Sequence, residues 1–71
     1  MKHDQYVLPN DDTWMVMDDT SDENAHFFSS ILDAIHYAHI TAAQYHSEVT
    51  VYDSDLNVVS TVDYAKNPDQ L

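Results

Sequence analysis

The side chains of this sequence that could do chemistry are histidines, aspartates and a pair of adjacent serines. Their spacing decides what is open to them. His36 and His39 stand three apart, so on a helix they share a face and two neutral imidazoles could hold one ion. Asp33 lies one turn earlier and could add an oxygen. His46 lies seven residues past His39, about 10 Å along a helix axis at ~1.5 Å per residue, out of reach of the same ion. Two imidazoles do not make a structural zinc site, and the group reads as a polar helix flank titrating near neutrality. Asp53, Asp55 and Asn57 match the first three ligand positions of a calcium loop. The sixth position, where glycine makes the turn, is Val58, and the twelfth, where glutamate binds, is Tyr64. These residues read as a polar hairpin turn. Ser29 and Ser30 have no nucleophile elbow around them, and Ser30 stands where a helix cap is wanted. The expectation is no catalytic site, no metal and no cofactor.

Composition narrows the field further. The chain has 71 residues, with 13 acidic side chains against 2 basic ones and a formal charge of −11. Protonating all five histidines brings −11 only to −6. Such a surface repels nucleic-acid phosphates and anionic lipid heads, so direct binding to either is not expected. The hydrophobic fraction of 44% is enough for a small folded core rather than a disordered chain. With no cysteine there is no disulfide, thiolate metal site or cysteine nucleophile. With no glycine, phosphate-binding glycine loops are excluded. The start of the chain, Met1-Lys2-His3-Asp4-Gln5, does not lead into an apolar stretch, and no run is long enough to span a membrane. A soluble, cytoplasmic protein is the expectation.

These side chains must be positioned by a few short elements. Gln5-Tyr6-Val7-Leu8 reads as a strand closed by the turn cluster Pro9-Asn10-Asp11-Asp12, and Trp14-Met15-Val16-Met17 as its hairpin partner. Residues 18–24 read as an acidic loop. Ser30 with Asp33 has capping-box spacing, and Ile31, Ile35, Ala38, Ala42 and Tyr45, with Ala34 beside them, make one apolar stripe on a helix. Val49 and Val51 alternate with Thr50 and Tyr52 as a third strand. Residues 53–57 form a hairpin loop, and Val58 to Tyr64 is the fourth strand. Ala65 to Leu71 reads as a tail. The expected fold is α+β: a single domain over 1–71, with a core of about 5–64 between short tails, in the order β-β-α-β-β. It has a four-stranded antiparallel sheet with one helix packed on one face.

On these residues the chain resembles the DUF2188 group of small bacterial domains. The matching features are Tyr6-Val7 before Pro9, Trp14 with Val16, and Ala25 and Phe28 ahead of Asp33-Ala34-Ile35, Ala38 and Ala42. Val49, Val51, the Asp55 turn, Val58 and the closing Tyr64 complete the pattern. The resemblance covers about residues 5–64 and implies a fold, with no established activity attached. The group usually has Asp-Gly in the last turn where this sequence has Asp55-Leu56, so a left-handed position there is either strained or avoided. The basic surface residues common in that group are missing here.

Strand phase carries the functional expectation. If Val7, Trp14, Val16, Val49, Val51, Val58 and Val62 face the helix, alternation sends Tyr6, Leu8, Met15, Met17, Thr50, Tyr52, Val59 and Thr61 to the other side. One helix cannot cover both sides. A face built from Tyr6, Leu8, Met15, Met17, Tyr52 and Val59 is rich in the residue types of interface cores. The first expectation is a non-enzymatic homodimer or protein-interaction module using that open face, with edge pairing as a competing route if the second strand is an edge. The alternative is an acidic mimic of nucleic acid that occupies a basic DNA- or RNA-binding protein, through Asp11, Asp12, Asp18, Asp19, Asp22, Glu23, Asp53 and Asp55. Protonation of His36, His39 and His46 is expected to favour the helix through its macrodipole.

Overall fold

The computed structural model describes residues 3–65, with the side chains of 21–24 left aside. The elements are β1 (Gln5–Asn10), β2 (Thr13–Asp18), β3 (Ser21–Phe28), α1 (Ile31–Gln44), β4 (Glu48–Tyr52) and β5 (Val58–Asp63). They form one five-stranded sheet in the order β3-β2-β1-β4-β5, with α1 across one face. The α+β class is as expected; the four-stranded antiparallel sheet is not. The segment read as an acidic loop supplies an extra strand, β3, and β1 runs parallel to β4. β3 begins Ser-Asp-Glu-Asn, which hides any alternation, and it pairs with β2 through Phe28 opposite Trp14, Phe27 opposite Met15, His26 opposite Val16 and, past a register shift, Ser21 opposite Asp18. Once β3 exists, α1 leads from the end of β3 back to the start of β4, and β4 must run in the direction of β1. The tail expected from Ala65 onward falls, beyond Ala65 itself, outside the described residues.

The first turn is shorter than expected. Pro9 and Asn10 belong to β1, opposite Trp14 and Thr13, and only Asp11 and Asp12 connect the strands. Asp19 N–H donates to Asp4 O at 2.8 Å, which makes that pair a hydrogen-bonded one. Alternation then directs the backbone nitrogens of Gln5, Val7 and Pro9 away from β2 and toward β4. Pairing with β4 stops at Val7, so the N–H that proline lacks is not needed.

The core is small and built from small side chains. Val7, Val16, Val49 and Val51 from the sheet meet Ala34, Ala38 and Ala42 from α1, all fully or almost fully buried. Alanine on the buried stripe lets the helix lie close to the valines. Trp14, Phe28, Ile35, Tyr37 and Tyr64 are half-buried and close the margins. Ring contacts Phe28–Tyr37 and His26–Tyr37 tie β3 to the helix, with centroids 5.5 and 4.7 Å apart. Tyr45, expected on the stripe, lies past the helix end and is exposed.

Both helix ends differ in detail from the expectation. Ser30 is the N-cap and its carbonyl accepts from Ala34 N–H, but its hydroxyl makes no cap hydrogen bond, so no capping box forms. At the C-terminus, Ser47 N–H donates to Ala42 O at 2.8 Å and His46 N–H to Ala43 O at 3.3 Å, with His46 at φ 54°. This is a Schellman closure built on a histidine where glycine is usual. Asp11 (φ 54°) and Leu56 (φ 64°) are the other left-handed residues among those described. The Asp55-Leu56 turn therefore keeps the left-handed position without glycine. Asp53 braces it: its carboxylate accepts from Asp55 N–H at 2.8 Å and Asn57 N–H at 2.9 Å, while Leu56 N–H donates to Asp53 O at 3.0 Å.

Candidate functional site

The register fixes which side chains share the face that α1 leaves uncovered. Tyr6 lies opposite Met17 and Thr50, Leu8 opposite Met15, Met15 opposite Phe27, and Thr50 opposite Thr61. Of the six residues expected on this face, Tyr6, Leu8, Met15, Met17 and Tyr52 are half-buried by one another, and Val59 is exposed at 59%. Tyr6, Leu8, Met17 and Tyr52 line an open groove of about 420 Å³, closed at one end by Asp18, Asp19 and Thr20. Met15 and Val59 are not part of its lining. Phe27, 56% exposed, extends the face on β3. Sequence reasoning misses it because residues 18–24 read as a loop and no strand is expected between there and Ser30; the doublet Phe27-Phe28 just ahead of the helix is the available signal. Val58, expected to face the helix, is instead 58% exposed opposite Tyr52, after a bulge between Val51 and Tyr52 that adds one residue to β5.

The groove floor is apolar and its surroundings are acidic. Burial raises the Tyr6 hydroxyl above the ordinary phenol range, and the charges of Asp19 and Asp4 push it further. Beyond the closed end stands a polar network that the sequence did not reveal. His3 Nδ1 lies 3.1 Å from Asp18 Oδ2, and since a carboxylate only accepts, Nδ1 carries the proton. Gln5, a buried amide on the helix side of β1, donates from Nε2 to the same oxygen at 3.0 Å and to His3 O at 2.7 Å. Thr20 donates to Asp18 Oδ1 from both its backbone N–H (2.8 Å) and its hydroxyl (2.7 Å). His3 N–H donates to Ser47 Oγ at 2.7 Å, and the His3 ring packs against Tyr45 at a tilt of 45° with centroids 4.1 Å apart. Burial pushes the Asp18 carboxyl up, but hydrogen bonds from Thr20, Gln5 and His3 outweigh it and hold the group below its usual range.

That network contains a histidine, a carboxylate and hydroxyls, yet it is not arranged as a relay. The same ring nitrogen of His3 faces both Asp18 and the Thr20 hydroxyl, which sits 3.2 Å away. A relay needs the carboxylate on one imidazole nitrogen and the nucleophile on the other. The Ser47 hydroxyl is held by its donation to Tyr45 O and by His3 N–H. The group works as a clamp that ties the chain entering β1 to the β2–β3 turn and to the helix exit.

The remaining histidines and acids are placed as follows. His39 lies in the middle of α1, half-buried, with Nδ1 2.7 Å from the Tyr64 hydroxyl. Burial lowers its pKa below the usual imidazole value, and the charge of neighbouring His36 lowers it further. For this histidine the expected gain from protonation is therefore reversed: the neutral ring is the one the fold favours. The turn acids divide between the two ends of the sheet. Asp11 and Asp12 in the β1–β2 turn and Asp53 and Asp55 in the β4–β5 turn share one end, because β1 and β4 are parallel. Asp18 and Asp19 lie at the other end, and Asp22 and Glu23 are in β3 rather than in a loop. A six-residue strand separates the ends by roughly 17–20 Å. Asp53 is occupied within its own turn, where hydrogen bonds from Asn57 first and then Asp55 hold its carboxyl low against the opposing effect of desolvation. Among the described residues there is no cluster of three groups fit to hold a metal, and no helix long and apolar enough to cross a membrane.

Compared with known proteins, the chain matches no family model, no curated protein and no solved structure.

Proposed function

We propose that the protein is a non-enzymatic interaction module that self-associates through the open face of its sheet, with sheet packed on sheet. The observation that carries this reading is the gathering of Tyr6, Leu8, Met17 and Tyr52 around a groove on the side opposite α1. A sheet with one helix has one covered side, and an uncovered side normally carries polar residues. Here it carries two tyrosines, two methionines, a leucine and Phe27, types that give large contact area and adaptable packing. The chain has 2 basic residues against 13 acidic ones, so few long cationic side chains exist to solvate such a surface. Contact of this kind is apolar and is strengthened by salt, since salt screens the repulsion between two strongly acidic copies. Met17→Asp or Tyr52→Asp should lower the association number measured by sedimentation while leaving the circular dichroism spectrum unchanged. A folded variant that associates as the parent does would reject the open face as the contact.

A second reading, an acidic mimic of nucleic acid, draws support from the placement of Asp11, Asp12 and Asp55. All three are exposed and lie in turns at the same end of the sheet. A basic nucleic-acid-binding partner should then compete with DNA for that end, and its binding should fall steeply as salt is added. Binding that resists salt would remove this reading.

A further inference from the structure

We propose that β5 is a second association site, an edge strand that pairs antiparallel with β5 of a second copy and joins two sheets into one. The backbone phase of β5 is set by a single hydrogen bond, from Tyr64 N–H to Ser47 O at 3.0 Å. In the same register Val62 lies opposite Val49, Thr61 opposite Thr50 and Ser60 opposite Val51. Hydrogen-bonded and non-hydrogen-bonded pairs alternate along an antiparallel ladder. Val62 and Ser60 therefore spend their backbone groups on β4, while the N–H and C=O of Thr61 and Asp63 point outward from the sheet.

Nothing among the described residues covers that edge. β5 is the last strand of the sheet, α1 packs on β1, β2, β3 and β4 but does not reach it, and residues Val58 to Val62 are all exposed. Native edges are usually blunted by charge, proline or a covering element. Within β5 neither charge nor proline precedes the last residue, Asp63, and from Leu56 to Val62 the sequence reads Leu-Asn-Val-Val-Ser-Thr-Val. The opposite edge, β3, carries Asp22 and Glu23 and an irregular register with β2. In a chain with a formal charge of −11, the β5 edge is where two copies meet without opposing carboxylates. A two-fold axis on Thr61 places Thr61 opposite Thr61 of the second copy, Ser60 opposite Val62, and Asp63 opposite Val59. Thr–Thr is a favourable cross-strand pair, and no like charges face each other. This contact is separate from the open-face contact and does not depend on it.

Amide hydrogen exchange tests the proposal without altering the chain. The Thr61 and Asp63 amides should exchange at least ~10-fold more slowly in concentrated than in dilute solution, since only association can protect outward-facing groups. Exchange that is fast at every concentration overturns the assignment. Thr61→Pro removes an outward N–H that β4 does not use, so it should fold as the parent does and lose one step of association. A folded Thr61→Pro protein with the parent's association number also overturns it. Tyr52→Asp acts on the open face and should leave the Thr61 protection in place. Protection that disappears with Tyr52→Asp would overturn the edge assignment and return the contact to the open face.

Discussion

Leu56 and His46 hold left-handed backbone angles in a chain with no glycine, and both are exposed. A left-handed L-residue costs about 1 kcal/mol or more, because its Cβ crowds the backbone. Leu56→Gly and His46→Gly should each raise stability by about 0.5–1 kcal/mol, after the greater unfolded-state entropy of glycine is set against the relief. Chemical denaturation of the two variants checks this; a loss of stability in Leu56→Gly would show that the exposed leucine is used elsewhere. His39 gives the residue-scale pH dependence. Its folded pKa is depressed, so the folded state binds fewer protons than the unfolded chain. Its contribution is present above about pH 6.5 and is lost as pH falls through the folded value. Melting temperature should therefore drop between neutral and mildly acid solution, and His39→Gln should reduce that drop.

At the scale of elements, the clamp around Asp18 joins pieces that no local contact would hold together. The carboxylate accepts from Thr20, Gln5 and His3, and so ties β1, the β2–β3 turn and the segment before β1. Asp18→Asn should cost about 1–2 kcal/mol at neutral pH, since it removes the charge from several hydrogen bonds and presents donors to donors. The Asp18 carboxyl is held low, so its stabilisation is full above about pH 4 and is lost as pH falls through the folded value. Asp18→Asn should accordingly lose less stability on acidification than the parent. The helix was legible in the sequence because its apolar positions recur at three and four, β4 because Val49 and Val51 alternate with Thr50 and Tyr52, and β1 and β2 because short apolar runs flank the turn cluster Pro9 to Asp12. β3 was not, because its first half is polar and is placed by pairing with β2 rather than by any pattern of its own.

For the whole molecule, the decisive fact is that one fourteen-residue helix serves five strands. Among the described residues it covers the centre of one side and leaves both the far side and β5 open. Two exposures of different chemistry result among the described residues, an apolar face and a backbone edge whose one charge is the terminal Asp63. Association through the face should respond to Met17→Asp and Tyr52→Asp, and association through the edge to Thr61→Pro. Combining Tyr52→Asp with Thr61→Pro should leave a folded monomer, which sedimentation at raised salt would detect. Raised salt matters because screening lets copies of a chain this acidic approach.

By itself the sequence determined the properties that depend on residue type and short-range period. These are the α+β class, the alanine-valine character of the core, the acidic charge, and the phase that sends Tyr6, Leu8, Met15, Met17 and Tyr52 to one side of the sheet. Alternation in a strand is local, so it survives whatever the strand order turns out to be. Tertiary structure decided what depends on partners distant in the chain. The parallel pairing of β1 with β4 put two acidic turns at one end and the Asp18 clamp at the other. The pairing of β2 with β3 moved β2 from a possible edge to the interior, and the order β3-β2-β1-β4-β5 left β3 and β5 as the two edges. No spacing in the sequence encodes these outcomes, because they follow from which strands compete successfully for the same unpaired backbone groups.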